Sequence, residues 1–388
     1  MTEPRRGFDV SEFEDRMQRA QARMLDARLD AILVTTEPEV RYFTGFFTQF
    51  WESPTRPWFV LLPLSGKPVA VIPEIGAAGM AETWVEDIRL WPAPRPDDDG
   101  VTLLGDAIRG LPRRFGRLGM ALGPETVVRM PQNDLTRLLA GLPALEIEDA
   151  TDLLRRLRFV KSAAEIAKIA YACAITSDAF EALPATARLG ETERRICRRM
   201  RIDLLERGAD GTPYMIAGSG PGVYDSIIMG PTDRILEAGD VLIIDTGTTF
   251  DGYFCDFDRN FAFGHVGDAA RRAYETVYEA TDAGFAAARP GATTSDVWSA
   301  MWGVMEAGGA LGNSVGRLGH GLGMQLTEWP SNTADDGTVL VPGAVLTLEP
   351  GMEFEPGKQM VHEENIVITE DGATWLTRRA PEDMPVVG

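Results

Sequence analysis

Residues 241–261 read Val241-Leu-Ile-Ile-Asp-Thr-Gly-Thr-Thr-Phe-Asp-Gly-Tyr-Phe-Cys-Asp-Phe-Asp-Arg-Asn-Phe261, and this stretch decides the fold of the second half of the chain. Apolar residues on both sides of the segment 250–252 indicate two strands joined by a tight turn. If the turn is centred between residues 250 and 251, Asp245 faces Asp256; if it is centred between 251 and 252, Asp245 faces Asp258. In both registers the three aspartates lie on one face of the hairpin, because side chains alternate along each strand.

Three aspartates on one face predict a bound cation. The neighbouring Ile244 and Phe257 indicate that the strands are largely buried. Like charges across a sheet are destabilising, and a buried carboxylate without a partner is costly. Arg259 falls on the opposite face, so a cation is the simplest partner, and oxygen ligands suit Mn²⁺, Mg²⁺, Fe²⁺ or Zn²⁺. The alternative is a polar hairpin face that is exposed to water.

Three later segments add a histidine and further acids near the ends of apolar strands. His320 lies among glycines in Gly-His-Gly-Leu-Gly, which allow a close approach of the backbone to an ion, although a lone histidine can also be structural. Glu349 ends an apolar strand just before Pro-Gly. Glu363 and Glu364 enter a run of β-branched residues, where alternation puts only one of them on each face.

The pattern along the chain predicts two domains. Alternating helices and strands through residues 1–158 indicate an α/β domain, whereas helices and strands are segregated in residues 159–388, which is typical of an α+β domain. Ser162 followed by Glu165 is a capping-box signature for a helix that begins just after the boundary. A chain of 388 residues is long enough for two cores.

The bulk composition excludes several classes of partner. A formal net charge of −20 without a basic stripe disfavours nucleic acid and anionic membrane surfaces. The apolar runs are too short to span a bilayer, and residues 1–7 contain no apolar signal-peptide core, so we expect a cytoplasmic protein. Cys173, Cys197 and Cys255 contain no Cys-x-x-Cys pair and are expected to be buried thiols.

The four segments resemble the family of methionine aminopeptidase, aminopeptidase P, prolidase and creatinase. Residues 245–256 match its motif D-x-G-x-x-x-x-G-Y-x-x-D at every fixed position, and residues 319–323 match G-H-G-x-G. The resemblance implies a "pita-bread" catalytic domain of α+β class at 159–388, preceded by a creatinase-like α/β domain at 1–158. It also implies two divalent ions, of Mn, Zn, Fe or Co. The ligands implied are Asp245, Asp256, His320, Glu349 and Glu363.

Four positions depart from the family pattern. No histidine occurs before His265, whereas the peptidases of the family carry a catalytic histidine at about Ile227-Ile228. Thr327 stands where a second family histidine precedes the E-x-P element, and Val361 replaces a frequent arginine. Asp258 replaces a threonine and is predicted to face the metals. Ordinary Xaa-Pro peptidase activity is therefore open to question.

The leading hypothesis is a metal-dependent hydrolase that cleaves an amide or other C–N bond in a short peptide or small molecule. Glu349 would shuttle protons, as the resemblance implies, and Asp258 would act as an added base or outer ligand, or as a hydrogen-bonded acid beside the ligands. One alternative is a lyase of the same fold acting on an osmolyte such as dimethylsulfoniopropionate, because such lyases carry an E-W-P element that Glu328-Trp-Pro resembles. The other alternative is a binding protein without catalysis.

Substrate contacts are predicted at Thr327 and in an aromatic segment of the first domain. In this branch of the family, the first domain of one subunit can cap the active site of its partner, so a homodimer is expected. Phe50, Trp51 and Arg56 would then line the substrate pocket, the rings contacting an onium group. The alternative is that they pack within the small domain and at the dimer surface.

Overall fold

The computed structural model describes residues 2–313 and 316–388. Contacts divide the chain into two compact units, Arg5–Arg158 and Phe159–Gly388, with residues 2–4 grouped with the second. The predicted fold class, an α/β domain followed by a pita-bread domain, is confirmed. No helix within the described ranges has both the length and the apolar character that crossing a bilayer requires.

The first unit is a mixed sheet of six described strands in the order β4-β3-β2-β1-β5-β6. Strands β1 to β3 are buried on both faces because helices cover the sheet, which explains their continuous apolar sequences. Strands β2 and β3 flank the segment that contains Ser65 and Gly66. The strands are β1 Ala31–Val34, β2 Phe59–Pro63, β3 Val69–Pro73, β4 Asp87–Trp91, β5 Arg117–Met120 and β6 Glu146–Asp149. The helices are α1 Val10–Ala27, α2 Glu37–Thr44, α3 Ala77–Ala81, α4 Val101–Arg109, α5 Gln132–Ala140 and α6 Thr151–Phe159.

The second unit holds two larger sheets with helices packed against them. In one sheet the strand order is β18-β10-β8-β7, with β9 on β8, and in the other it is β12-β11-β13-β16-β17. Strands β14 and β15 form a separate hairpin. The helices are α7 Ala163–Thr186, α8 Glu193–Glu206, α9 Asp268–Ala287 and α10 Thr294–Ala307. The strands are β7 Gly211–Pro221, β8 Asp240–Phe250, β9 Tyr253–Phe254, β10 Phe257–Phe263, β11 His320–Gly321, β12 Glu328–Ser331, β13 Val345–Leu348, β14 Gly351–Glu355, β15 Lys358–Val361, β16 Glu364–Ile368, β17 Ala373–Trp375 and β18 Val386–Val387.

Helix α7 begins at the capping box that the sequence predicts. The Ser162 hydroxyl accepts a hydrogen bond from the Glu165 backbone N–H at 3.3 Å, and the Glu165 carboxylate accepts one from the Ser162 N–H at 2.9 Å. These two bonds satisfy backbone donors that the first turn of a helix otherwise leaves open. The helix then packs along β8, the strand that carries Asp245.

Candidate metal centre

The register of the β8–β10 hairpin is the second of the two that the sequence allowed. Phe250 pairs with Tyr253, so the turn consists of Asp251 and Gly252, both with positive φ as a type I′ turn requires. In this register Asp245 lies directly opposite Asp258.

Asp256, His320 and Glu363 come together in the interior although they are far apart in sequence. One ligand atom from each lies within 4.8 Å of the others, and the three residues are 5%, 3% and 2% exposed. The Nε2 atom of His320 lies 3.3 Å from an Asp256 carboxylate oxygen, while Nδ1 lies 2.8 Å from the Gly321 carbonyl oxygen. The Nδ1–H therefore bonds to the backbone and leaves the Nε2 lone pair facing the acids, as in a metal-ligating histidine.

Asp245 and Glu349 lie outside this tight cluster but interact with it. Both are partly exposed. Burial raises the pKa of Asp245 well above its usual value, and the negative charge of Asp256 raises it further. Burial also raises the pKa of Glu349 to about 7, with His320 acting in the opposite direction. The two acids thus share the electrostatic field of the cluster.

Two buried carboxylate oxygens in the site have no hydrogen-bond donor. Asp258 is 1% exposed, and neither its Oδ1 atom nor the Oε1 atom of Glu363 accepts a hydrogen bond from any described residue. Burial raises the pKa of both carboxyl groups well above the usual range, and Glu349 adds to the shift of each. An unpaired buried acceptor is unfavourable, and a divalent cation satisfies such atoms best. The residues present therefore fit a metal centre.

The backbone around these acids is held by a second set of polar contacts. Asn365 pairs with both backbone groups of Asp256, accepting from its N–H at 3.0 Å and donating to its carbonyl oxygen. The Thr347 hydroxyl accepts from the His320 N–H at 3.1 Å. On the opposite face Glu364 pairs with Arg259 at 3.0 Å, so alternation directs Glu363 alone of these two glutamates to the acid cluster.

Tyr214 is a site residue that the sequence analysis missed. Its hydroxyl donates to Asp245 at 3.3 Å and also to Asp256. The residue lies in β7 opposite Gly247, where the absence of a side chain leaves room for the ring. Residues 211–221 alone do not single out Tyr214, because its contact with the two aspartates depends on the pairing of β7 with β8.

Thr327, one of the departures from the family pattern, occupies polar surroundings. The Thr327 hydroxyl accepts a hydrogen bond from an Arg317 guanidinium nitrogen at 3.2 Å. The adjacent Glu328 forms a buried ion pair with Lys161 at 3.0 Å. Thr327 is thus linked to a cation and is partly exposed.

The other two histidines lie away from the acid cluster. His362 is buried, and its Nε2 atom accepts from an Arg379 guanidinium nitrogen at 2.7 Å; burial lowers the pKa of His362 to about 4, so the imidazole is neutral. His265 is exposed after the end of β10.

The aromatic residues expected to contact substrate lie together in the first unit. The Arg56 guanidinium lies 5.0 Å from the centre of the Phe50 ring, which is 38% exposed. Trp51 packs against Trp58, with ring centres 6.0 Å apart, and against Arg129. Trp51 thus contacts other residues of its own unit, and its assignment to a substrate pocket stays a prediction.

Two family models match the chain. Metallopeptidase family M24 matches residues 167–371, and the creatinase/prolidase N-terminal domain matches residues 16–160. The chain is 30% identical over 384 residues to a probable dipeptidase PepE of Mycobacterium tuberculosis, covering 98% of both proteins. It is also 30% identical over 239 residues to an Xaa-Pro dipeptidase of Pyrococcus furiosus, covering 61% of this chain and 68% of that one.

Solved structures give the same result. The crystal structure of dipeptidase PepE from Mycobacterium ulcerans superimposes with a TM-score of 0.85 at 30% identity, covering 98% of this chain and 99% of that one. The prolidase from Pyrococcus horikoshii superimposes with a TM-score of 0.80 at 25% identity, covering 95% and 99%.

Proposed function

The chain belongs to metallopeptidase family M24, and on that premise we propose that it is a dinuclear-metal-dependent dipeptidase acting on short peptides. The observation that supports this most directly is the buried acid cluster of Asp256, Glu363 and Asp258 beside His320, which includes oxygens without a donor. The metal ligands proposed are Asp245, Asp256, His320, Glu349 and Glu363.

Glu349 and Asp258 have separate proposed roles in hydrolysis. Two divalent ions, when bound, lower the pKa of a water molecule and polarise the scissile carbonyl. Glu349 takes up and releases the proton that passes from water to the leaving amine, because it is a partly exposed carboxylate that interacts with His320. Asp258 adds a second negative charge directly opposite Asp245, where it assists as a base or fixes the orientation of the ligands.

Thr327 and Arg317 are proposed to replace a family histidine on the substrate side. The Thr327 hydroxyl and the Arg317 guanidinium already contact each other at 3.2 Å. Together they would offer one neutral and one cationic hydrogen-bond donor to a carbonyl or carboxylate of the substrate. Such donors stabilise developing negative charge without the need for a titrating imidazole. Activity with this pair is expected to depend less on histidine protonation near pH 6.5 than in a histidine-containing relative.

The assembly and location that we propose follow from the same family. A homodimer would allow Phe50, Trp51 and Arg56 of one subunit to border the active site of the other, and sedimentation analysis tests whether the protein is dimeric. A cytoplasmic location agrees with three buried free cysteines, because a reducing compartment keeps thiols unpaired.

The deciding experiment combines metal analysis with a substrate screen. We expect the purified protein to bind two equivalents of divalent metal and to hydrolyse dipeptides, with and without a C-terminal proline. Removal of the metal by a chelator and the variant Glu349→Gln should each abolish hydrolysis. Release of dimethyl sulfide from dimethylsulfoniopropionate without dipeptide hydrolysis would instead identify a lyase. Absence of bound metal would leave a non-catalytic binding protein.

A further inference from the structure

Asn332 is a fully buried residue beside the strand that carries His320. It is 0% exposed and directly follows β12. Its backbone pairs with the start of the histidine motif. The Asn332 N–H donates to the Gly319 carbonyl oxygen at 2.9 Å, and the Leu318 N–H donates to the Asn332 carbonyl oxygen at 2.9 Å. The Asn332 side chain therefore extends from a backbone that is already fixed next to His320.

The Asn332 amide links two strands that are not neighbours of the same hydrogen-bonded pair. Its nitrogen, Nδ2, donates to the Leu318 carbonyl oxygen at 3.3 Å and to the Thr347 carbonyl oxygen at 3.0 Å. Asn332 follows β12 and Thr347 lies in β13, and β11 separates these two strands in the sheet. The amide thus reaches across the chain segment that leads into β11, and it uses both of its N–H groups to do so.

Gly319 leaves the space through which the amide passes. A Cβ atom at Gly319 would lie 2.2 Å from the Thr347 carbonyl oxygen and 2.8 Å from the Asn332 amide nitrogen. Its φ of 116° is also one that residues with a side chain rarely adopt. The first glycine of Gly-His-Gly-Leu-Gly is therefore explained by the close approach of the Asn332 amide and the β13 backbone.

The two carbonyl oxygens that accept from Asn332 belong to the segments that end in two proposed metal ligands. Leu318 lies two residues before His320, and Thr347 lies two residues before Glu349. The Glu349 N–H also donates to the Leu318 carbonyl oxygen at 3.1 Å, and the His320 N–H donates to the Thr347 hydroxyl at 3.1 Å. Each of these contacts joins the histidine segment to the glutamate segment, so together they set the separation of the two ligands.

The oxygen of the same amide contributes no hydrogen bond to the fold. The Oδ1 atom of Asn332 is buried and accepts from no described residue. A buried acceptor without a donor is unfavourable, and an apolar side chain of similar shape avoids that penalty. Stability alone therefore does not explain an asparagine at this position, whereas its two donors bridge the ligand-bearing segments.

We propose that Asn332 is a positioning residue, which holds His320 and Glu349 at the separation that a bound divalent ion requires. The inference rests on the metal centre of the proposed function, but it does not depend on the reaction catalysed. Asn332 donates to backbone carbonyl oxygens, so it acts on the ligands through the backbone of their two segments. Groups that orient metal ligands in this way affect metal affinity without binding the ion.

The test uses Asn332→Leu, which keeps the approximate size of the side chain and removes both N–H donors. Co²⁺ is titrated into the metal-free variant and wild type, and the visible absorption bands are recorded, because they depend on the number and arrangement of ligands. We expect the variant to bind Co²⁺ about 10- to 100-fold more weakly, with altered bands. Its free energy of unfolding without metal should stay close to the wild-type value, because the unpartnered Oδ1 is removed together with the donors.

Thr281→Val is the matched control. Thr281 is 0% exposed in α9, and its hydroxyl donates to the Val277 carbonyl oxygen of the same helix at 2.8 Å. This variant also loses a buried hydrogen bond to the backbone, but that bond joins no ligand-bearing segments. It should therefore keep the wild-type Co²⁺ affinity and bands. If Asn332→Leu does not fold, Asn332→Ala removes the same donors without adding bulk, and the same loss of Co²⁺ affinity is expected.

The possible outcomes separate this role from the proposed function. Wild-type affinity and bands in the Asn332 variants would overturn the proposal, and so would an equal loss in Thr281→Val, which would indicate a general effect of packing. A wild-type protein that binds no Co²⁺ would refute the metal centre and the positioning role together. A wild-type protein that binds Co²⁺ but hydrolyses no dipeptide would refute only the dipeptidase activity, because affinity and absorption are measured without substrate.

Discussion

Asp258 is the residue at which this site departs most clearly in charge from the family pattern. It lies opposite Asp245 in the hairpin register, is buried, and has one oxygen without a donor among the described residues. The family threonine could offer a hydroxyl at that place but no negative charge. Asp258 therefore adds to the charge that bound cations must balance.

We predict that Asp258→Asn retains both metal ions but lowers kcat by about 100-fold, the lower range for loss of an acid–base group. The amide has the shape of the carboxylate, so the five proposed ligands keep their positions while the charge and basicity are lost. Elemental metal analysis and dipeptide turnover measure the two effects separately. The matched control is Asp233→Asn, an exposed acid paired with Arg194, which should change neither. Unchanged turnover would remove Asp258 from the mechanism.

Tyr214 is predicted to position two metal ligands through its hydroxyl. In Tyr214→Phe the hydrogen bonds to Asp245 and Asp256 are lost while the ring is kept. Groups that orient metal ligands typically contribute 10- to 100-fold to affinity, so we expect the metal dissociation constant to rise by about that factor. Metal titration measures it, and Tyr171→Phe is the control, because the Tyr171 hydroxyl bonds to no described residue. Equal metal affinity in both variants would contradict this role.

At the scale of elements, the β8–β10 hairpin shows which features a sequence pattern predicts and which it leaves open. Alternation placed Asp245, Asp256 and Asp258 on one face, and the structure agrees, but it left two registers open. The choice depends on the turn, where Asp251 and Gly252 both adopt positive φ. The capping box at Ser162 was predicted correctly, because its signal is local.

Gly247 is required for this hairpin, since a Cβ atom there would lie 1.8 Å from the Cys255 carbonyl oxygen. The two strand backbones cannot separate to make room for a Cβ atom without moving Asp256. Gly247→Ala should therefore destabilise the protein by several kcal/mol, which is at the upper end for single substitutions. It should also lower the affinity for metal. Chemical denaturation and metal titration measure the two effects. Gly303→Ala is the control: Gly303 is an exposed position in α10 with open space around it. There alanine should stabilise by about 0.5–1 kcal/mol. Equal stability of the two variants would refute the close approach.

At the scale of the whole molecule, the acid cluster couples stability to metal and pH. Burial raises the pKa values of Asp245, Asp258, Glu349 and Glu363 in the folded chain. Without metal, the folded protein therefore binds more protons near neutral pH than the unfolded chain does. The free energy of unfolding then falls as pH rises. Bound cations reverse the preference, because they stabilise the ionised carboxylates.

We predict that the metal-free protein loses stability between about pH 6.5 and 8, whereas the metal-loaded protein does not. The window begins at the ordinary histidine pKa of about 6.5, above which the buried neutral His362 no longer contributes to the slope. Each raised carboxyl contributes at most about 1.4 kcal/mol per pH unit while it titrates. Urea denaturation at several pH values, with and without chelator, measures the difference. Parallel pH profiles for the two forms would contradict the predicted charge balance.

The sequence by itself determined the two-domain α/β and α+β architecture, the family and the set of candidate ligands. Those features depend on local periodicity and on short motifs with fixed spacing, which a linear chain displays directly. Only the tertiary structure decided the hairpin register and the contact of Tyr214 with Asp245 and Asp256. These features depend on which strands and helices pack together. The sequence of one strand does not show which distant strand it pairs with, because its periodicity indicates only its own secondary structure and its buried face.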